Sequence, residues 1–552
     1  MRSYRRLAAA ALFAAGALAL SACGSEDDPQ ANTPGAKQGG ALTAYTSAFP
    51  DFLDPALAYS GEGWTALWPV YTGLLTYPHA EGVDGAKVVP GLAEDLPEIS
   101  EDGLTYQLKL RDGLVYSDGS PVKASDFEHA IKRVLNLESG GSFFFQGIEG
   151  AEDYIEAGKS GADLPGITAD DATREITIKL AEPDGQFTFA LATTFGALVP
   201  STTPFKPAGD TPVPGVGPYA LADVKPGRQF VLQRAANFKA LPDVPIGKAD
   251  QITVTTVENG GRQAQDIVAN KVDALFGPPS GDQLAEVRAG TKGRYREYTT
   301  NAVNYFFLGT QLPPFDDVRV RQAVATAVDE RALARLSGGL QEPTCNFLPP
   351  AIQGYKQLDP CPWGDPTQAP DLAKAKQLVA DAGATGDEVT VFGDDSPGFS
   401  AAAEYFADLL NQLGFKAKPK LVSGAVYFQT IGNARTKAQA GVTGWSQDFP
   451  GAATFFQLID GASIQPRNNV NPGNVDDQQI NDDLAKANAM TSQSDAAPLY
   501  EGIDKRLIDE ALVLPYGHPR ATKITSSRVA FDALVFHPVY GLDLATLGLR
   551  AE

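Results

Sequence analysis

The first two dozen residues decide in which compartment this chain can fold. Met1-Arg2-Ser3-Tyr4-Arg5-Arg6 carries three arginines, residues 7–20 are dominated by Ala and Leu, and Leu20-Ser21-Ala22 leads into Cys23-Gly24. A basic start, an apolar stretch too short to span a bilayer comfortably and small residues before a cysteine together read as a lipoprotein signal. The reading predicts a signal peptide over 1–22, removed in the mature protein. Cys23 becomes an acylated N-terminus that tethers the chain to the extracytoplasmic face of the cell membrane. Residues 23–39 are polar and rich in Gly, Pro, Asn and Asp, and are expected to form a flexible linker. No later run approaches the roughly 18 to 20 apolar residues of a membrane span.

A chain of 552 residues suggests about three or four domains on a prior of ~150 residues each. Hydrophobic residues make up 43% of it, enough for large cores. The formal charge of −22 becomes −25 once Arg2, Arg5 and Arg6 leave with the signal. An acidic surface of that size repels phosphate backbones, so nucleic acid is not an expected partner. Cys23 is assigned to lipid, which leaves Cys345 and Cys361 of the three cysteines. Two thiols in an exported, Pro-rich stretch predict one disulfide. No histidine lies near them, and two thiolates alone make a poor metal cage, so no metal and no cofactor is expected.

The chain reads as mixed α and β. Leu104, Tyr106, Leu108 and Leu110 alternate with polar residues as in a strand with one wet face, and Ile176, Ile178 and Leu180, then Ile252 and Val254, repeat the pattern. Ser125 with Glu128 reads as a capping box, ahead of an apolar stripe through Phe127, Ile131, Val134 and Leu135. Asp371 is expected to open a helix whose stripe is Leu372, Ala375, Val379 and Ala382, with Gly383 ending it. Short strands alternating with helices indicate α/β or α+β lobes, without an internal repeat. Catalytic and nucleotide motifs fail in detail. There is neither a Gly-x-Ser-x-Gly elbow nor a His-Glu-x-x-His pair. Gly158-Lys159-Ser160 has Asp153 where a phosphate loop needs glycine, so it reads as a turn. Gly215-Val216-Gly217 is followed by Pro218 where a dinucleotide fingerprint opens a helix. His79, His129, His518 and His537 are scattered along the chain.

Several long segments nevertheless belong together. Pro90-Gly91-Leu92-Ala93-Glu94, Ser100 to Tyr106, Leu110-Arg111-Asp112-Gly113 and Ser117-Asp118-Gly119-Ser120-Pro121 run in order into the helix from Ser125. Val216-Gly217-Pro218-Tyr219, Pro314 to Ala323 and Gly444-Trp445-Ser446-Gln447-Asp448-Phe449-Pro450 come after them. From about residue 40 onward the chain resembles the family 5 extracellular solute-binding proteins of ABC importers, the peptide- and nickel-binding group. Most matched positions have a scaffold reason of their own. Asp118-Gly119 is a turn dipeptide, and Asp316 or Asp317 is placed to cap a helix with Val320, Val324 and Val328 on its buried side.

The resemblance implies a two-lobed fold of the class II periplasmic-binding-protein type with an additional domain, closing like a hinge around ligand. The first domain would comprise 40–72, 216–302 and 516–552, the second 73–215 and the third 303–515, with lobe crossings near Gly217 and Pro515. It implies no enzymatic activity, and a monomer that delivers oligopeptides or dipeptides to a permease and ATPase complex. Asp448, three residues after Trp445, occupies the position of the acidic residue that pairs with a peptide α-ammonium group. Buried ammonium needs such an anion. Gly444 would let the ligand backbone approach, and Trp445 would pack on ligand or core. The segment Tyr59 to Trp64 corresponds to a stretch that lines the cleft and can pair with an extended ligand, making Glu62 and Trp64 further candidates. Metal chelate, haem, oligosaccharide or a signalling peptide stay open as alternative ligands on the same fold. A hydrolase would require a catalytic dyad that no motif exposes.

Overall fold

The structure is a computed structural model that describes residues 35–551 apart from positions 138, 159–161, 278, 280 and 468. Its spine is a twelve-stranded mixed sheet. One end is built from Lys416–Val422, Glu388–Asp394, Ala440–Ser446 and Ala302–Leu308; the other from Ala274–Leu275, Ala41–Thr46, Gln251–Thr256, Gln229–Arg234 and Tyr219–Lys225. The thirteen-residue strand Val513–Thr525 belongs to both ends. Its first half pairs antiparallel with Ala302–Leu308, and its second half with Tyr295–Thr299. Between the two, His518 and Pro519 pair with Glu342 and Gln341, and the register of the first half slips at Asn304/Tyr305.

Separate cores flank this spine. Leu42, Phe230, Ile252 and Leu544 meet at one end. At the other end, Ala302–Leu308 is buried on both faces: Phe306 and Leu308 pack with Phe406 and Leu410, while Val303, Tyr305 and Phe307 pack with Phe347 and Phe456. A four-stranded antiparallel sheet lies apart, in the order Glu98–Ile99, Thr105–Lys109, Glu175–Lys179, Ile167–Asp170. Tyr106, Leu108, Ile176 and Ile178 of that sheet share a core with Phe127 and Ile131 of the helix Ser125–Asn136.

The alternations at 104–110, 176–180 and 252–254 are strands with the expected faces inward. Asp317 caps Val318–Ala325 by accepting from the Arg319 N–H; Val320 and Val324 are buried, and Val328 is buried beyond the helix end. Asp371 caps Leu372–Asp381, and Ala375 and Val379 are buried. Leu372 departs from its expected stripe: it is the first helical residue and is exposed.

Other expectations are corrected. Ser125 does not form a capping box with Glu128. It is already helical, and its N–H and hydroxyl both donate to Asp171, at 2.9 and 3.1 Å, while Glu128 pairs with Lys132 at 2.6 Å. A carboxylate from another segment supplies the acceptor a local box would supply. The linker is shorter than 23–39. Ala36 and Lys37 pair with Arg550 and Leu549, the Gln38 amide donates to the Gly247 carbonyl at 2.7 Å, and the Gly39 N–H donates to the Lys248 carbonyl at 2.8 Å. Cys23, the signal residues, Lys159 and Ser160 lie outside the described residues. At Gly217 a Cβ would lie 2.7 Å from the Pro69 carbonyl oxygen, and Tyr219 begins a strand, so the glycine serves a backbone crossing. Cys345 and Cys361 are joined in a disulfide with Cα atoms 6.3 Å apart. The scattered histidines partly converge: His79 and His537 both pack on Trp68, with ring centroids 4.0 and 4.3 Å away.

Candidate ligand-binding site

The strand Ala440–Ser446 ends at the junction between the two ends of the sheet, and Gln447 anchors the chain just beyond it. The Gln447 N–H donates to the Asn301 carbonyl and its side-chain oxygen accepts from the Asn301 amide, each at 2.9 Å. Its amide donates to the Pro538 carbonyl at 2.9 Å. Held on both sides, the chain delivers Asp448 inward, where it is 6% exposed. The Thr454 hydroxyl donates to Asp448 Oδ2 and the Tyr59 hydroxyl to Oδ1, both at 2.8 Å. Thr454 stands on the short helix Ala453–Phe456, and its oxygen also accepts from the Trp445 indole N–H at 3.4 Å.

Burial pushes the Asp448 carboxyl above its ordinary range, against the opposing pull of the Tyr59 and Thr454 hydroxyls and the Gln457 side chain. Burial and the neighbouring carboxylate push the Tyr59 phenol upward too, so it stays protonated and keeps donating. No cation pairs with Asp448 among the described residues.

Asp448 borders a cavity of about 470 Å³ between the two ends of the sheet. Glu62, Trp64, Phe276, Trp445 and the segment Phe536 to Gly541 line it. Neither lysine nor arginine contributes to the lining, and burial holds the His537 imidazole well below its usual pKa and therefore neutral. Glu62 is half-buried and has no ion-pair partner among the described residues. The surroundings are thus aromatic rings and neutral polar groups such as Thr300, Asn301 and Ser446, with two carboxylates and no positive charge. Such a cavity can hold the ammonium group of a ligand, because a cation entering it offsets the cost of a buried carboxylate.

The structure brings Asp448, Trp445, Glu62 and Trp64 to this one cavity. Gly444 lies behind the Trp445 wall, where a Cβ would collide with the Asn304 side chain, so its smallness is required by the protein's own packing. Trp64 is buried at 8% exposure, donates its indole N–H to the Ala58 carbonyl at 2.9 Å and meets the Tyr59 ring edge-on at 5.6 Å. It props the tyrosine that holds Asp448. The expected strand pairing at 59–64 is corrected: Ser60 caps a helix over Gly61–Leu67, whose backbone groups turn inward. The free strand edge is elsewhere. Glu388–Asp394 pairs with Ala440–Ser446 only at Ala440 and Gly441, so no strand lies on that side of Thr443 to Ser446 among the described residues.

The four-stranded-sheet region meets the other side of the cleft by direct contact. The Gly185 N–H donates to the Asn488 carbonyl at 2.9 Å, the Gln493 amide donates to the Gly185 carbonyl at 2.8 Å, and Phe189 stacks on Phe449 at 5.0 Å. Sequence motifs reach Tyr59 only as the first residue of the segment through Trp64, and they do not mark it or Thr454 as a partner of Asp448. The two side chains reach Asp448 from 389 and 6 residues away, and only the second separation is short enough to notice.

Comparison with known proteins matches residues 87–466 to the model of bacterial extracellular solute-binding proteins, family 5 (middle region). Heme-binding protein A of Haemophilus influenzae is 25% identical, covering 96% of this chain and 98% of that protein. Dipeptide-binding protein DppE of Bacillus subtilis is 24% identical, covering 90% and 89%. Among solved structures, clavulanic acid biosynthesis oligopeptide binding protein 2 superposes with a TM-score of 0.84 at 26% identity, over 93% of this chain and 96% of that one. The periplasmic binding protein DppA from Helicobacter pylori, in complex with the peptide STSA, shares the fold at a TM-score of 0.72 and 20% identity, over 93% and 99%. A match spanning well over half the sequence, in a two-lobed α/β fold with a ligand-sized cavity, settles the membership. This chain belongs to the bacterial extracellular solute-binding proteins of family 5, the non-enzymatic binding components of ABC importers.

Proposed function

We propose that the protein captures oligopeptides or dipeptides by their free N-terminus and delivers them to an ABC permease and ATPase complex from a lipid anchor on Cys23. The observation that carries the reading is Asp448: a carboxylate almost wholly withdrawn from water, held by two hydroxyls, in a cavity whose described lining offers it no cation. A peptide α-ammonium supplies the missing charge through a charge-assisted hydrogen bond. Trp445 and Trp64 furnish apolar walls, Glu62 adds negative potential, and Gly444 carries the strand edge along which a peptide main chain can run. The relatives named for dipeptides and oligopeptides support the ligand class.

The domain partition proposed with it puts 40–72, 216–302 and 516–552 in one lobe, with 73–215 packed on it, and 303–515 in the other. Ligand would stabilise the closed arrangement by contacting both lobes at once.

Calorimetry with free and N-acetylated forms of one peptide tests the reading. Acetylation of the ligand and Asp448→Asn should each cost roughly ten- to a few hundred-fold in affinity, on the ~1.5 to 3 kcal/mol scale of a hydrogen bond to a charged group. The two losses should not add, since each removes one side of the same contact. Equal affinity for free and acetylated peptides would reject it, and the mass of any ligand that co-purifies would then identify the true solute.

A further inference from the structure

The two oxygens of Asp448 face different cavities. Tyr59, which donates to Oδ1, lines the large one; Thr454, which donates to Oδ2, lines a second, of about 180 Å³. Asp184 borders this second cavity too, together with Gln186, Gln457 and Asn488. It lies where the segment 184–190 meets 448–457 and Asn488, beside the hydrogen bond from the Gly185 N–H to the Asn488 carbonyl.

The charge here is unbalanced. No lysine, arginine or histidine contributes to the lining, and Phe143, Phe144 and Phe449 form its apolar side. The Asp184 carboxylate accepts from the Gln186 N–H at 2.8 Å and pairs with no cation among the described residues. Burial pushes its carboxyl above the ordinary range, as at Asp448. Independently of these charges, Gln186 Oε1 is buried without a hydrogen-bond partner, on a residue only 8% exposed. An acceptor stranded in that way carries its full desolvation penalty unless a donor or an ion meets it. Two carboxylates and an orphaned amide oxygen are all satisfied by one kind of group, a cation.

The donors indicate which cation. Carboxylate and amide oxygens suit a hard ion, and two carboxylates balance a divalent charge. Calcium accepts about six to eight oxygens in a flexible arrangement, whereas magnesium demands a near-ideal octahedron, so donors gathered from separate stretches of chain fit calcium better. At roughly 30 Å³ per water molecule, the cavity has room for water to complete the shell.

We propose that this second cavity is a calcium site, with Asp184, Asp448 and Gln186 Oε1 as its protein ligands, pinning the segment 184–190 to the residues that carry Asp448. Neither Asp184 nor Gln186 lines the large cavity, so the site is distinct from the place proposed for a peptide ammonium group.

Calorimetric titration of the ligand-free mature protein with calcium chloride, at constant ionic strength, tests the site. One calcium per chain should bind with a Kd of about 10⁻⁴ to 10⁻³ M, the range of extracellular calcium modules. Calcium at about 10 mM should then raise the melting temperature by a few degrees. Asp184→Asn keeps an acceptor for the Gln186 N–H and removes the charge, so calcium affinity should fall about tenfold or more. Gln186→Met removes the orphaned oxygen at similar length, and affinity should fall about threefold or more. Peptide affinity measured in EDTA should match the parent in both variants. Absence of saturable calcium binding, or parental calcium affinity in either folded variant, overturns the site; where Asp184→Asn does not fold, Gln186→Met decides by itself. Equal affinity for free and acetylated peptides would sink the ammonium reading and leave the calcium titration as it is, so the two fail separately.

Discussion

The Tyr59 hydroxyl donates to Asp448 Oδ1 at 2.8 Å, joining residues 389 positions apart across the cleft. The contact ties the buried Asp448 carboxylate to the opposite side of the cavity, and it makes the tyrosine part of how the carboxylate is poised. Tyr59→Phe removes the donor and keeps the ring that packs on Trp64 and Phe195. Peptide affinity should fall several-fold, with the melting temperature changed little. Titration calorimetry beside a thermal scan separates the two effects.

Acidification should weaken peptide binding. The Asp448 pKa is raised by burial in the free protein, and an ammonium partner draws it down in the complex. Above the raised value affinity is flat; as pH falls through it, affinity drops by up to about tenfold per unit. Stability of the ligand-free protein runs the other way at this residue. The folded state holds the proton more tightly than the unfolded chain, whose aspartates titrate near 3.9. Its contribution therefore improves as pH falls from the raised value toward that figure. Asp448→Asn should accordingly raise the melting temperature of the free protein at neutral pH and flatten the pH dependence of what peptide binding remains.

The Cys345–Cys361 disulfide closes a span of 16 residues. Loop-entropy arguments give about 3 kcal/mol for a loop of that length. Reduction should lower the melting temperature by a few degrees without unfolding the loop outright. The loop has other anchors: Asp504 accepts from the Phe347 N–H at 2.9 Å, and the Trp363 indole donates to the Ile508 carbonyl at 2.8 Å. Peptide mapping without reductant should recover the two cysteines linked, and free alkylatable thiols in fresh exported protein would contradict the pairing.

Much of the fold was legible because its signals are local. Asp317 and Asp371 cap the helices they precede, and Tyr106 and Leu108 turn inward from a strand whose Gln107 and Lys109 stay wet. Two of the failures share a physical origin: a group's partner lay far along the chain. Ser125 takes its acceptor from Asp171, and Ala36 and Lys37 find Arg550 and Leu549. The site divides the same way. Asp448 could be found from the motif around it, but nothing near Tyr59 announces a partner 389 residues away. Its neighbours misled as well. Gly61 and Gly63 obscure a seven-residue helix whose one local signal is Ser60, which accepts from the Gly63 N–H.

Cys23→Ala should release the protein from membranes or stall its maturation, because one acylated cysteine is the only anchor the sequence proposes. Membrane retention of the variant, or mass spectrometry showing Met1 to Ala22 still attached to the mature protein, would contradict the lipoprotein reading.

A contact made by Gly185 with the segment 488–493 can be broken by a substitution outside the candidate site. A Cβ on Gly185 would sit 1.8 Å from the Met490 carbonyl oxygen, far inside any tolerable approach. Gly185 also exchanges hydrogen bonds with Asn488 and Gln493 beside the Phe189–Phe449 stack. Gly185→Val therefore has to push 184–189 away from 488–493. Asp448, Tyr59 and Trp445 are not themselves substituted, while the contact between the two segments is displaced. Affinity for any cleft ligand should fall tenfold or more, chiefly through faster dissociation, since closure retains the ligand. Small-angle scattering in the presence of saturating ligand should show the variant more extended than the parent, with the melting temperature of the free protein nearly unchanged. Parental dissociation rates in a folded Gly185→Val protein would show that these segments do not form the closing contact.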